Sequence, residues 1–388
     1  MQIIFDYQIF ILQQEGGISR YFLKLCQMLP EFADAVKATV VAPYFVSPLL
    51  ESAREFGQAA VIGRKIPSFS GKHRFLPVIN RVASRPVWRT LQPDLIHETY
   101  YSGRTVSYDC PRILTVFDMI HERFPGHFSG PDLQIPQCKA QAISRADHVI
   151  AISNSTRADL IELLQVAPEK ITVIPLASSL AKPPSGRDKM NDGRPYLLYV
   201  GLRGRVKNFI TLLEAYGHSI VLSSDFDLLC AGGGAFSPAE RNALREYGLM
   251  EKVRQLDADD TLLAALYANA ALFVYPSLYE GFGLPLLEAM RCGCPVACSD
   301  AGSMPEVAGE AALFFDPHRA DEIQSVLESI VLSEYLSDTL RLRGYEQEKK
   351  FSWDKSVRQT AALYRRYARK KQYVDTSGVD KDNDGLLR

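Results

Sequence analysis

Two carboxylates eight positions apart, Glu280 and Glu288, flank a glycine turn in the segment PSLYEGFGLPLLEAMRCGCPVACSD, residues 276–300. An apolar run, ALFVY, ends at Pro276, and Gly281 and Gly283 follow. Pro285 stands where a helix would begin, the position at which its missing N–H costs nothing. The order predicts strand, tight turn and helix, with Glu280 on the turn and Glu288 one turn into the helix. Free N–H groups at a glycine turn and a helix start bind anions. Carboxylates on both sides accept protons from hydroxyls, so the segment suits a sugar diphosphate. A solvated helix start with Glu in its first turn, favoured by the helix dipole, has similar local chemistry. The glycine turn between the two carboxylates favours the ligand.

Two other loops add to this chemistry. In YLLYVGLRGRVKNF, residues 196–209, an apolar run ends at Gly201, and Arg203, Arg205 and Lys207 crowd the short stretch before the next helical pattern. Three cations at a strand exit repel one another unless a polyanion sits among them. In QQEGGISRYF, residues 13–22, Gly16-Gly17 separates the apolar start of the chain from a helical pattern. By itself a glycine pair is a turn. Opposite the Glu280 and Lys207 loops, Gly17 becomes a place where a side chain would fill ligand space.

The elements that must position these loops alternate along the chain. Strand candidates are QIIFDY, ATVVAP, DLIHETY, RILTVFD, HVIAIS and ITVIPL, then YLLYVG, DLLCAGG, LFVYPS, CPVACSD and AALFFD. Several are continuous apolar runs, as strands buried on both faces are. Helical patterns such as SNSTRADLIELLQ, with Ser153 or Ser155 as N-cap, and NFITLLEAYGHSI lie between them. The alternation predicts an α/β protein with two doubly wound parallel sheets, each opening its strand C-termini into a shared cleft. The expected organisation is a first domain at 1–180, a linker at 181–195 rich in Pro, Gly and charge, and a second domain at 196–350. A basic amphipathic helix at 351–372 would return to the first domain, and a polar, disordered tail would occupy 373–388.

Bulk properties exclude other classes. The 388 residues exceed one ordinary core. A net charge of −1 argues against a nucleic-acid binder. No apolar run reaches the ~20 residues that span a bilayer. MQIIFDYQIF lacks a basic leader and reads as a strand. Seven scattered cysteines suggest reduced thiols and a cytoplasmic location. Cys292, Cys294 and Cys298 lack the spacing and fourth ligand of a zinc site, and small residues along a strand-turn explain them better. Asp380, Asp382, Asp384 and Gly385 open like a calcium loop, but the sequence stops before the required Glu. A dehydrogenase is disfavoured because AGGGAF (231–236) follows a later strand and EGGISR lacks the third glycine.

The stretch YEGFGLPLLEAMRCGCPVACSDAGSMPEVAG resembles the signature of the family-4 retaining, nucleotide-sugar-dependent glycosyltransferases of the GT-B fold. VGLRGRVKN is similar to that family's donor-phosphate loop, and AISNSTRADL and ITVIPLA also match its patterns. GGISRYFLKL and TVFDMIHERFP resemble the mannosyltransferase-like subgroup of bacterial O-antigen and surface-polysaccharide assembly. The resemblance implies that Lys207, helped by Arg203, binds the donor diphosphate. Glu280 would contact the transferred sugar and Glu288 the ribose. Main-chain N–H groups of Gly281, Phe282, Gly283 and Leu284 would hold the phosphates and sugar, and Gly17 would admit the diphosphate. It implies no metal and no cofactor, with GDP-mannose the first donor to consider. Many members carry His before the aspartate at the fourth strand's exit; here the pair is Phe117-Asp118, with His121 close behind. Asp118 is the candidate for orienting or deprotonating the acceptor hydroxyl, and His121 the alternate. A catalytically silent sugar-nucleotide-binding protein of the same fold is the rival reading. Glu280 and Glu288 share one domain, so they are not the paired carboxylates of a glycosidase.

The partners expected are a nucleoside diphosphate sugar and a saccharide acceptor, lipid-linked or soluble. Residues 56–93 contain no Asp or Glu but carry Arg64, Lys65, Lys72, Arg74, Arg81, Arg85 and Arg89 among apolar and aromatic residues. That pattern suits the anionic inner face of a plasma membrane, contacted through residues 64–89.

Overall fold

The computed structural model describes residues 1–32, 36–182 and 193–368. Most of the expected linker, the end of the expected C-terminal helix and the Asp-rich tail lie outside the described residues. Thirteen strands are described, in two sheets. The first contains β1 (Gln2–Phe5), β2 (Lys37–Phe45), β3 (Ala60–Lys65), β4 (Leu95–Glu98), β5 (Arg112–Val116), β6 (His148–Ala151) and β7 (Ile171–Val173), in the order 3-2-1-4-5-6-7. The second contains β8 (Tyr196–Val200), β9 (Asp227–Ala231), β10 (Val253–Leu256), β11 (Leu272–Tyr275), β12 (Val296–Ser299) and β13 (Ala312–Phe315), in the order 10-9-8-11-12-13. Every pairing given is parallel. The chain is α/β, with two doubly wound domains of the GT-B type.

Each sheet reverses its winding once, between β1 and β4 and between β8 and β11. Ligands bind outside the strand C-termini at such reversals. The Gly16-Gly17 loop lies beyond β1, the Lys207 loop follows β8, and the Glu280 turn follows β11.

The central strands β4, β5 and β6 are buried at every residue, and the polar residues they carry, His97, Glu98, Arg112, Thr115 and His148, are hydrogen-bonded. Two strands had no counterpart among the eleven sequence candidates. β3 and β10 are sheet edges and are largely exposed or half-buried, so neither carries the continuous apolar run that marks the interior strands. The helix Asn154–Leu164 is capped by Ser153, whose side chain accepts from the Thr156 N–H at 3.0 Å.

The helix Trp353–Tyr367 packs against the helix Gly17–Phe32 of the first domain. Its Tyr364 is fully buried, with its hydroxyl 2.5 Å from His97 Nδ1, while His97 Nε2 lies 2.8 Å from Thr115 Oγ1. Burial lowers the His97 pKa to about 3, so the ring is neutral and needs both partners. Trp353 Nε1 donates to Ser179 Oγ at 2.9 Å, and Ser356 Oγ to the Pro175 carbonyl at 2.5 Å. Tyr364→Phe would leave one buried imidazole nitrogen without a partner. It is expected to lower the unfolding free energy by about 1–3 kcal/mol in chemical denaturation; an unchanged midpoint would mean that this contact does not hold the helix.

Candidate functional site

The turn from Glu280 to Leu284 is the centre of the site. Gly283 has φ +95°, a left-handed conformation that lets the helix Leu284–Arg291 start at once, with Pro285 in its first turn. Phe282 is buried against Phe351, with ring centroids 5.7 Å apart, so only its backbone is available to a ligand. The N–H groups of Gly281, Phe282, Gly283 and Leu284 donate to no acceptor among the described residues. Gly281, Phe282 and Gly283 are buried. Buried N–H groups are almost always paired, so a run of unpaired ones marks a binding surface.

On one side of this turn Lys207 Nζ donates to Glu280 Oε1 at 2.5 Å, and the ammonium lies 5.9 Å from the Tyr275 ring centre. The Glu280 carbonyl accepts from Ser303 through its N–H at 3.3 Å and its hydroxyl at 2.9 Å. Both backbone and side chain of Glu280 are therefore held in place.

On the other side, Gly281 presses on the first domain. A Cβ built on it would lie 1.8 Å from the Phe117 carbonyl oxygen and 2.9 Å from the Asp118 Cβ. Asp118 is thus adjacent to the turn. Its own loop is clamped by Lys139, whose side chain is fully buried. Lys139 Nζ donates to the Asp118 carbonyl and to Glu122 Oε2, both at 2.8 Å, and lies 3.7 Å from Asp118 Oδ1. His121 stacks on Phe128 with ring centres 4.0 Å apart. Its Nδ1 is buried without a partner among the described residues. Burial lowers its pKa, against the opposing pull of Asp118.

A cavity of ≈ 330 Å³ lies between the domains. Gly17 and Arg20 line it from the first domain, Leu284, Glu288 and Asp260 from the second, and Trp353 from the returning helix. Gly17 and Leu284 are the first residues of their helices, so two helix N-termini meet here with their positive dipole ends. Arg20 Nη1 donates to both oxygens of Asp260, at 2.9 and 2.8 Å, across the cleft. Tyr267 donates its hydroxyl to Glu288 Oε2 at 3.3 Å. Burial raises the Glu288 pKa to about 7; Asp260 adds to the rise, while the Tyr267 hydrogen bond and Arg20 oppose it.

Arg203 is placed differently from Lys207. Its guanidinium is buried, pairs with Glu240 at 3.2 Å through Nε, and donates to the carbonyls of Gly232 at 2.8 Å and Gly234 at 2.5 Å. It holds the glycine segment after β9 in this structure, which is the opposite of a cation left free for phosphate. Cys292, Cys294 and Cys298 are buried free thiols. Among the described residues no group of three or more His, Cys, Asp or Glu is arranged to hold a metal ion.

The structure therefore brings Gly17, Leu284 and Glu288 into one cavity, joins Lys207 to Glu280, and sets Asp118 against Gly281. Arg20, Asp260, Tyr267 and Lys139 were not singled out from the sequence. Arg20 was open to discovery, since it lies one turn after Gly17 in GGISRYF. Lys139 was not, because its partners are 17 and 21 residues away and only the fold unites them.

Two comparisons of sequence agree with this geometry. Residues 15–180 match the family model described as Glycosyltransferase Family 4, and residues 185–349 match Glycosyl transferases group 1. The chain belongs to this glycosyltransferase family. It is similar to O-antigen chain mannosyltransferase B of Escherichia coli, 33% identical over 236 residues, which are 58% of this chain and 62% of the relative. The serotype-specific mannosyltransferase WbdA of Escherichia coli is 31% identical over 257 residues, but these are only 31% of its own length. O-antigen chain mannosyltransferase RfbU of Salmonella typhimurium is 26% identical over 339 residues, 85% of this chain and 90% of that one. Among solved structures, sucrose-phosphate synthase from Thermosynechococcus elongatus superposes with a TM-score of 0.75 at 21% identity, over 94% of this chain and 98% of that one. Anabaena Alr3699/HepE in complex with UDP-glucose gives 0.71 at 18% identity, over 94% and 99%. At these identities the structures speak for the fold.

The two glycines should separate in experiment. A Cβ at Gly17 would meet nothing within 4 Å, whereas one at Gly281 would strike backbone. Gly17→Val is expected to keep the melting temperature within a few degrees, as helix propensity alone shifts stability by under ~1 kcal/mol, and to abolish transfer. Gly281→Ala is expected to lower the melting temperature and raise hydrogen exchange at residues 117–121. Equal destabilisation by both would show that Gly17 is a structural turn.

Glu288 gives a pH signature. Its pKa is raised from the ordinary 4.5 to about 7, so the native state holds this proton where the unfolded state has lost it. The group's contribution is complete below about 4.5 and is lost as pH rises through about 7. Glu288→Gln should match wild type at pH 4 and gain on it progressively up to pH 7–8 in thermal unfolding. A difference that is flat with pH would place the Glu288 carboxyl in ordinary solvent.

Proposed function

We propose that this chain is a retaining mannosyltransferase that takes its sugar from a nucleoside diphosphate sugar, GDP-mannose first, and passes it to a saccharide acceptor. The observation that carries the reading is the meeting of two helix N-termini in one cavity, where Leu284 ends a turn of four N–H groups unpaired among the described residues that starts at the Lys207–Glu280 pair. These donors suit a diphosphate, and carboxylates close by suit hydroxyls. The mannosyl group and the bacterial O-antigen setting are supported by the names of the relatives described above. A polyprenyl-diphosphate-linked acceptor, met at the inner face of the membrane, follows from that setting.

As the bond to the donor breaks, negative charge grows on the β-phosphate and positive charge on the sugar. Lys207 and the N–H groups of Gly281 to Leu284 would stabilise the first charge without rearrangement, because Glu280 and Ser303 already hold that turn. Glu280 would contact the transferred sugar. Glu288, on ionising, would accept from the ribose hydroxyls. Arg203 would act on the phosphates indirectly, by fixing the glycine segment after β9. Retention brings the acceptor hydroxyl to the face the phosphate leaves, and that phosphate can take its proton. Asp118, against Gly281, would orient the hydroxyl, with His121 as alternate: burial lowers its pKa, and its Nδ1 has no partner among the described residues. No metal or cofactor enters the scheme.

Thermal-shift screening of GDP-, UDP-, dTDP- and CDP-sugars should single out one donor, since a ligand that binds the native fold raises its melting point. With that donor, Lys207→Ala and Glu280→Ala are expected to lose at least about 100-fold in transfer while still folding. Full activity in either variant would overturn the site. Slow hydrolysis of the donor by wild type would exclude a silent binding protein.

A further inference from the structure

The helix Lys72–Leu91 buries one face and leaves an apolar stripe exposed on another. Leu76, Asn80, Ser84 and Trp88 are buried and recur every four residues, so they form the inner face. That face packs on β2 and on the helix Gln8–Leu12. Asn80 locks it in place: Oδ1 accepts from the Tyr44 N–H at 2.9 Å, and Nδ2 donates to the carbonyls of Tyr44 and Leu76, both at 3.0 Å. Such a helix cannot roll to bury its other side without breaking these bonds.

The other side carries Phe75, Val78, Ile79 and Val82, which are 61%, 49%, 45% and 57% exposed. The spacing i, i+3, i+4, i+7 sets them on one stripe, within an arc of roughly 100° and opposite the buried face. A solvated helix face is normally polar. Lys72, Arg74, Arg81, Arg85 and Arg89 border this stripe, mostly along one edge, and none of them pairs with a carboxylate among the described residues. No acidic residue occurs between positions 56 and 93 to compensate them. The combination differs from a protein-docking patch, whose cations would meet acidic partners one by one. It matches a surface that is apolar at depth and uniformly anionic at its rim.

The geometry points to this face as a docking surface for an anionic bilayer. The four apolar side chains enter the headgroup–acyl boundary and the five cations rest on lipid phosphates. No helix among the described residues is long and apolar enough to cross a membrane, so the contact is peripheral. At the N-terminal end of the helix, Ser68 and Lys72 line a surface recess with Leu12, Gln13, Gln14 and Glu15. Glu15 also lines the cavity between the domains. Docking by this face therefore brings the bilayer beside a recess that borders the cleft. The proposal rests on the proposed lipid-linked acceptor for its purpose alone, and its test needs neither donor nor acceptor.

Flotation of the purified full chain with vesicles of phosphatidylcholine, with and without phosphatidylglycerol, decides the matter. Binding is expected to anionic vesicles, weakened by salt and weak to phosphatidylcholine alone. Arg74→Glu/Arg85→Glu should reduce the bound fraction at least about tenfold, since each cation near the surface contributes roughly fivefold. Phe75→Glu/Val82→Glu should reduce it comparably, while thermal unfolding and the donor-induced shift stay as in wild type. Phe75 and Val82 are more than half exposed and lie outside the buried core, so the variants should fold. Equal binding of both variants and wild type, or no binding by wild type, would overturn the proposal. So would a wild-type dimer in sedimentation that Phe75→Glu/Val82→Glu makes monomeric, because the stripe would then be a protein interface. Loss of vesicle binding with intact transfer to a soluble acceptor would leave the catalytic reading standing; the converse would leave docking standing.

Discussion

A missing Cβ joins the two halves of this molecule. With glycine at 281 the turn after β11 rests on the Phe117 carbonyl, where any side chain would stand 1.8 Å from that oxygen. The contact is reinforced on either side. Thr156 Oγ1 donates to the Gly281 carbonyl at 3.3 Å, and the Met119 N–H donates to the Tyr279 hydroxyl at 3.4 Å. The Tyr279 hydroxyl in turn donates to Asp159 at 2.5 Å. Asn154, at the start of its helix, donates to Glu306 from backbone and side chain at 2.8 to 3.0 Å. Because this seam is anchored through backbone, it determines where the unpaired N–H groups of the turn face the first domain.

Charge placement follows from the seam. Lys139 has no access to water, so its ammonium must be compensated by Glu122 and by the Asp118 carbonyl. That requirement makes the Asp118 loop rigid just where it meets Gly281. Glu288 is the opposite case. It is partly desolvated with only a phenol as hydrogen-bond donor, and its raised pKa records that its negative charge is poorly compensated in the unliganded protein. Hydroxyl donors from a ligand would supply the missing compensation. Arg20 and Asp260 neutralise one another across the cleft mouth, where both are half exposed and the pair adds little stability.

The two roles proposed for the first domain fall on neighbouring elements. The loop between the helix Gln8–Leu12 and Gly17 faces the cleft, and the helix Lys72–Leu91, packed on that same short helix, presents cations and an apolar stripe outward. Asn80 fixes the distance between the two roles by tying the outer helix to the backbone of β2. A surface held at that face is thereby held at a set distance from the recess that leads toward Glu15.

Much of the architecture was legible in the chain itself. Interior strands announce themselves as short apolar runs because both faces of a parallel sheet are covered, and the glycine turn with Pro285 marks its own helix start. The edge strands β3 and β10 escaped because an edge in partial contact with water needs no apolar run. The sequence by itself determined the α/β alternation, the local geometry of the Glu280 turn and the acid-free composition of residues 56–93. Only the tertiary structure decided that Arg203 turns to Glu240, that Lys139 clamps the Asp118 loop, that Arg20 reaches Asp260 and that Glu288 loses much of its solvent. Those outcomes depend on partners between 17 and 240 residues apart along the chain, and local sequence spacing carries no information about which distant charges share one desolvated volume.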